Sequence, residues 1–382
     1  MSGLGRPDLY IDGQKMQSSP AGNRPVLAPL KIDWGTEPRF DFDPASTLSG
    51  QLLIKGSMPS YLDVGAHVGL VDPVTSRCLF ACALQPLTAV NDESFAGARR
   101  LSFTAASPIA ELEKHNVIDF DWPHEETAAA RRGRLARSLP DDWELGGAEG
   151  WTWINQGRQL GQSVRWLTLA ERYARSYLQR YHDTSTYTPG AGLQKRLTFA
   201  RERPKAAADT TLLNLPAAAV AMPITWRKTP ADVVTDVQIV SYGGAFPTGD
   251  ESQAFEYLMS YYVNNRALQR RYGMHQRRLE WAASSYNSGA LKSAIEQVVN
   301  YWLDVQTQWR PTALQIPDSR RLPAESLLRL LAVDTRPTAS IRVTDTPEGL
   351  PGPILSHVRA GSATWTGTKW DTTLTLGRTL DK

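Results

Sequence analysis

Apolar and polar positions alternate with a period of two near both ends of the chain, and with a helical period in parts of its middle. Leu30, Ile32 and Trp34 alternate with Lys31 and Asp33 and stop at Gly35, which predicts one face of a strand. Leu48–Ile54, Val64–Val71 and Arg77–Leu84 predict three more, the last two joined at Asp72 and Pro73, a turn-forming pair. Short strands at this spacing, with no long helix between them, point to a small barrel or sandwich. The strand pattern returns in Val233–Tyr242, Ser340–Val343, Ile354–Ala360 and Trp370–Leu376. The arms on either side of Thr366, Gly367, Thr368 and Lys369 predict a closing β-hairpin.

Helical spacing occurs in four places. Pro123, Glu125 and Glu126 open the first, with proline in the first turn and acids at the positive end of the helix dipole. Ser163–Tyr181 is the second; Trp166, Ala170, Tyr173, Tyr177 and Tyr181 form an aromatic stripe suited to core packing. The third is predicted over Gln253–Trp281 with a break at Gly273. Its arginines Arg266, Arg270, Arg271, Arg277 and Arg278 read as a solvated or subunit-facing edge. The fourth, Ser288–Gln308, places Leu291, Ile295, Val298, Val299, Trp302 and Val305 on one side and needs a sheet to pack against. Pro311 stops it. Residues 1–26 show no periodicity, and are either a disordered tail or an arm that orders on a neighbouring subunit.

These elements predict an α+β, β-rich chain in four parts: an N-terminal extended arm (1–26), a first β domain (27–120), a mixed helical middle (121–228) and a second β domain (229–382). The last part carries the long amphipathic helix at 288–308, packed on its strands. A chain of 382 residues exceeds one ordinary core, in agreement with two or three packed units.

The formal net charge of +3, from 42 basic and 39 acidic residues, gives no electrostatic ground for a dedicated or sequence-specific nucleic-acid binder. No apolar run approaches the ~18 residues of a membrane span, and no signal-peptide core is present. Cys78 and Cys82 would share a strand face about 13 Å apart, too far for a disulfide, and read as buried free thiols.

Candidate chemistry is sparse. Phosphate-binding loops, dinucleotide fingerprints and the serine-hydrolase elbow are missing, and Gly190, Ala191 and Gly192 suit a plain loop. His124, Glu125 and Glu126 lack the paired histidines of a zinc protease. The acids Asp119, Asp121, Glu125, Glu126, Asp141 and Asp142 offer carboxylates without the geometry that would define a glycosidase. No catalytic, cofactor or metal site is expected. Trp143, Trp151 and Trp153 are the candidate subunit or ligand contacts, because exposed aromatics suit interfaces and glycan platforms.

Taken in order, Leu27–Gly35, Pro44–Ile54, Tyr61–Leu70, Trp122–Arg131, Ile224–Tyr242, Trp309 with Arg310, and Val358–Leu376 resemble the minor tail proteins of long-tailed phages that infect actinobacteria, a group similar to the tail-tip (baseplate) hub family. The chain departs from that pattern in its N-terminal arm, in Leu145–Trp166 and in Ala245–Asn287. The resemblance implies two β-barrel-like hub domains per chain, set by three-fold symmetry into a pseudo-six-fold ring. A homotrimer of this kind matches a hexameric tail tube above and a trimeric tip below.

It further implies a structural, non-enzymatic protein of the siphovirus virion, made in the host cytoplasm, that takes part in host attachment and genome delivery. Implied partners are a distal tail protein or tail-tube ring, other minor tail proteins or a central fibre, and the tape-measure protein. Two other readings remain open: a receptor- or glycan-binding tail protein using the three tryptophans, and a cell-wall hydrolase.

Overall fold

The computed structural model describes residues 4–16, 26–35, 42, 44–91, 98–118, 126–147, 154–155, 163–176, 179–201, 212–221, 224, 226–227, 233–245, 255–281, 296, 310–311, 313–336, 339–343 and 354–379. These contain 25 strands, numbered β1 to β25 along the chain. Twelve join in one sheet to which both ends of the chain contribute. From the first part come β1 (Asp8–Ile11), β2 (Gln14–Lys15), β3 (Val26–Gly35), β4 (Thr47–Lys55), β5 (His67–Val71), β6 (Cys78–Asn91) and β7 (Ala98–Ala106). Later segments add β16 (Leu212–Leu215), β22 (Ala313–Ile316), β23 (Ser340–Val343), β24 (Ile354–Trp365) and β25 (Trp370–Thr379).

The order is β16-β23-β24-β3-β4-β7-β6-β5-β1-β2, with β25 also on β24 and β22 beyond it. Strand β24 is the junction. Its Ala360–Trp365 half pairs with Leu30–Gly35 of β3 on one edge and with β25 on the other, while Ile354–His357 pair with β23. Trp34 faces Gly361 across that pair, and a Cβ on Gly361 would lie 2.3 Å from the Trp34 ring. Glycine is what lets the indole lie flat over the strand.

The predicted strands at 30–34, 48–54, 340–343 and 354–360 are present, as are the turn at Asp72 and the closing hairpin, where Trp365 pairs with Trp370. The N-terminal segment differs from its expected extended form. Residues 8–15 form a hairpin that adds to the sheet through β5, burying Leu9, Ile11 and Met16. Its turn uses Asp12 and Gly13, both at positive φ (45° and 77°), the backbone that an Asp-Gly hairpin turn adopts.

The sheet's core includes Ile32, Leu48, Phe103, Ile316 and Trp370. Helix α5 (Ala324–Leu331; the others are numbered below) seats Leu327, Leu328, Leu330 and Leu331 in the same core. The helix expected at 288–308 lies outside the described residues apart from Glu296, which is helical.

The middle of the chain builds a second core. Strands β10 (Trp143–Gly147), β15 (Gly192–Arg201) and β13 (Gln179–Asp183) form a sheet, with β14 (Thr186–Thr188) also on β15. Helices α1 (Ile109–Leu112), α2 (Ala128–Arg137) and α3 (Trp166–Ser176) pack on it. Two short bridges tie the connections: β8 (Asn116–Val117) with β12 (Val164–Arg165), and β9 (Glu126–Thr127) with β11 (Ile154–Asn155).

Two predicted helices are corrected here. The first starts at Ala128 rather than near Pro123, because the Thr127 hydroxyl accepts the Ala130 amide as N-cap and Glu126 is in a strand. The second ends at Ser176, and Tyr181 belongs to β13. Trp166, Ala170, Tyr173 and Tyr181 still converge on one core, as the stripe predicted, while Tyr177 lies outside the described residues.

A third, three-stranded sheet replaces the helix expected over Gln253–Trp281. Strand β18 (Asp236–Ala245) pairs antiparallel with β19 (Phe255–Asn264) and parallel with β20 (Gln276–Trp281); only α4 (Arg266–Tyr272) between them is helical. Phe255, Tyr257, Met259, Tyr261 and Val263 alternate along β19 with β-favouring side chains, and the ten-pair register with β18 outweighs the local helical spacing. Gly273, at φ 82°, ends α4 as predicted. Strands β17 (Trp226–Arg227) and β21 (Arg310–Pro311) make a last bridge. The β-rich α+β class holds.

Candidate assembly surfaces

Trp143, one of the three candidate contact residues, opens β10 as a residue only 6% exposed, packed in the middle core with Trp166 and Leu197. It forms no surface platform. Trp151 and Trp153 lie outside the described residues.

Beside Trp143 is a charged clasp. Lys195 on β15 donates to Glu111 Oε2 at 2.6 Å and Asp142 Oδ2 at 2.7 Å, joining α1 to the turn before β10. Burial acts to lower the Lys195 pKa, but its hydrogen bonds to Asp142 and Glu111 outweigh that and raise it. The hydrogen bond from Lys195 in turn holds the Asp142 carboxyl below its usual range. A carboxylate held low by an ammonium is a poor general acid. Asp141 is exposed alongside, Glu126 lies in β9, and Asp119, Asp121, His124 and Glu125 fall outside the described residues.

Asp183 is the described carboxyl whose pKa burial pushes up. It accepts hydrogen bonds from the Ile109 amide at 2.8 Å and the Ser185 amide at 3.0 Å, so it anchors the start of α1 to the end of β13. Cys78 and Cys82 are free and buried on β6, as expected. Burial pushes the Cys78 thiol up to about 12, and its sulfur accepts the Tyr187 amide at 3.3 Å, so neither thiolate nor nucleophile is offered. Among the described residues no group of three His, Cys, Asp or Glu side chains is placed to hold a metal ion.

Two surfaces remain. A shallow groove of about 360 Å³ crosses β3, β24 and β25, lined by Asp33, Thr47, Ser362, Thr373, Thr375 and Pro44. Trp34, Gly35, Ala45, Ala360 and Gly361 complete its lining, which mixes apolar atoms with the threonine and serine hydroxyls. The other surface runs along α4 and the start of β20, where the five arginines singled out in the sequence are all exposed. Sequence reading found these arginines but placed them on a helix broken at Gly273; the structure sets them around a helix–strand corner. The Lys195 clasp had no signal in the sequence, since its three residues lie far apart along the chain.

No family model and no curated protein sequence matches the chain. Solved structures do match it along almost its whole length. A tail protein from Neisseria meningitidis MC58 superposes with a TM-score of 0.59 at 12% identity, covering 98% of this chain and 96% of that one. The fold is that of phage tail proteins. The 43 kDa tail protein of prophage MuSo2 from Shewanella oneidensis shares it with a TM-score of 0.57 at 11% identity, covering 97% and 98% of the two chains. So does an E. coli component of the type VI secretion system, described as structurally similar to the T4 bacteriophage tail proteins gp27 and gp5. That match has a TM-score of 0.51 at 10% identity and covers 97% of this chain and 76% of the other. Among the described residues no helix is long and apolar enough to cross a membrane.

Proposed function

We propose that the chain is a structural protein of a phage tail, forming the hub ring at the tail tip that joins the tube to the distal tip or fibre. The observation that carries this reading is the end-to-end match to tail proteins, which covers both partners almost completely and so is not one shared motif. The likeness to a secretion-system component itself compared with the tail proteins gp27 and gp5 supports a role in an assembly. The more specific features rest on the sequence resemblance: a homotrimer, a siphovirus of an actinobacterial host, contacts with tube, fibre and tape-measure proteins, and a part in attachment and genome delivery.

In this account the protein works by shape and symmetry, without chemistry of its own. The buried cysteines, the ion-paired Asp142 and the amide-bound Asp183 are accounted for by packing and anchoring. A zymogram on peptidoglycan should stay blank, and a cleared band would contradict a purely structural role. The genetic test is deletion of its coding sequence from the phage that carries it, followed by electron microscopy of the lysate. Tails that are missing or lack their tip are expected; complete tails of normal form would overturn the proposal.

A further inference from the structure

Helix α4 buries none of its residues, yet it is pinned in place. The Asn265 side chain caps it by accepting the Leu268 amide at 3.1 Å. Gln269 donates from its side chain to Asp236 on β18, and Asp236 also accepts from the Thr235 hydroxyl at 2.7 Å. The same hydroxyl accepts the His275 amide at 2.8 Å, which fixes the turn into β20. Thr235 and Asp236 are buried, so Asp236 turns its charge inward.

What the corner presents outward is cationic. Between Glu256 and Glu280 the chain has five arginines and one histidine, with no Asp, Glu or Lys. Arg266 and Arg270 stand one helical turn apart, roughly 6 Å along the axis. Arg271 lies over the Tyr272 ring at 5.4 Å, and Arg277 follows on β20. These four guanidiniums have no ion-pair partner among the described residues. Without the five arginines, the remaining 37 of the chain's 42 basic residues are outnumbered by 39 acidic ones, so the net positive charge is concentrated here.

The kind of partner follows from what the corner lacks. From Asn264 to Arg278 no residue is buried, and Tyr262 and Met274 are the exposed large hydrophobics beside the arginines. A protein partner needs an apolar centre that packs and excludes water, and a row of charged and amide side chains offers none. A polyanion needs no such centre. Duplex DNA carries a charge about every 1.7 Å of its axis, so neighbouring guanidiniums meet phosphates in any register and released counterions supply the affinity.

We infer that the α4–β20 corner holds the phosphate backbone of duplex DNA without reading its sequence. The choice of duplex DNA over another phosphate polymer rests on the proposed tail role, in which the genome is delivered past this protein. Such contacts are screened by salt and let a duplex slide.

Fluorescence anisotropy of a labelled duplex of about 20 bp and arbitrary sequence, titrated with the full chain, tests this. Affinity should fall with a log–log salt slope of about −3 to −4, as four phosphate contacts require, or roughly a hundredfold between about 0.05 and 0.2 M salt. Arg270→Gln/Arg277→Gln should make the slope shallower by about 2, while Arg270→Lys/Arg277→Lys should keep it. Arg99→Gln/Arg137→Gln removes two exposed arginines elsewhere with the same loss of charge and should leave binding unchanged. Circular dichroism checks each variant; if the first glutamine pair misfolds, Arg266→Gln/Arg271→Gln replaces it.

No duplex binding at about 0.05 M salt, or binding that the glutamine pair leaves unchanged, would overturn the inference. So would a chain that prefers polyphosphate or polyglutamate of equal charge to the duplex, which would assign the corner to another phosphate polymer or to an acidic protein. A chain that binds no duplex but is incorporated into tails would leave the tail proposal standing. One that binds duplex through this corner but is absent from purified tails would keep the contact and remove that proposal.

Discussion

Tyr187 shows how single residues join the two larger cores. Its ring lies on Gly69 of β5, where a Cβ would come within 2.0 Å of the Tyr187 ring, and it lies tilted against Tyr10 with ring centroids 5.8 Å apart. Gly69→Ala should therefore overpack the contact and destabilise the protein by about 1–3 kcal/mol in urea unfolding. In a Tyr187→Ala background the added methyl should cost much less, so the double-mutant cycle should show coupling. Additive effects would mean that the two residues do not meet.

The Lys195 clasp makes a pH prediction. Asp142 is held below its usual value, so the ion pair contributes stability above the ordinary carboxylate pKa and is lost as pH falls through the lowered folded value. Asp142 is 60% exposed, which limits the contribution to no more than about 1 kcal/mol. Lys195→Met should lower the urea midpoint at neutral pH, and the gap to wild type should narrow as pH falls below the ordinary carboxylate range; a gap that widens in acid would contradict the assignment. The fate of the two cysteines was legible because strand geometry alone keeps them apart and the surrounding residues are apolar. Trp143 was not legible as a core residue, since no local pattern distinguishes a buried tryptophan from an exposed one.

At the scale of elements, local spacing succeeded where a strand or helix stands on its own and failed where a partner decides. The closing hairpin was readable because both arms and the turn are contiguous. Strand β19 was not, because the helical spacing of its apolar residues competes with an alternation that only the β18 register reveals. The β1–β2 hairpin carried a readable signal, Asp12 and Gly13 after the alternating Leu9 and Ile11, which the surrounding Gly- and Pro-rich stretch obscured.

That hairpin has a decisive test. Removing residues 1–16 would withdraw Leu9, Ile11 and Met16 from the core, each worth roughly 1.5–3 kcal/mol when fully buried. The truncated chain should unfold at markedly lower urea or aggregate, whereas loss of a free arm would leave the midpoint unchanged. Thr127→Ala, removing the α2 cap, should cost about 1 kcal/mol by the same measurement.

Across the whole molecule, the pairing of β3 with β24 brings together segments more than 300 residues apart, and no periodicity announces it. The β-rich class was legible from composition and alternation; how the two terminal β segments join was not. The proposed function was suggested only by the order of stations along the chain, because the described groups with shifted pKa values are accounted for by anchoring and packing. The end-to-end match to tail proteins agrees with that resemblance at the level of fold.

The hub proposal adds three-fold assembly, and the mass in solution tests it most directly. Light scattering of the purified chain, alone and mixed with the neighbouring tail proteins of its phage, should give three chain masses, either unaided or once a partner is present. A chain that stays monomeric with every tail partner while binding host cell walls would contradict the hub and point to a receptor-binding protein instead.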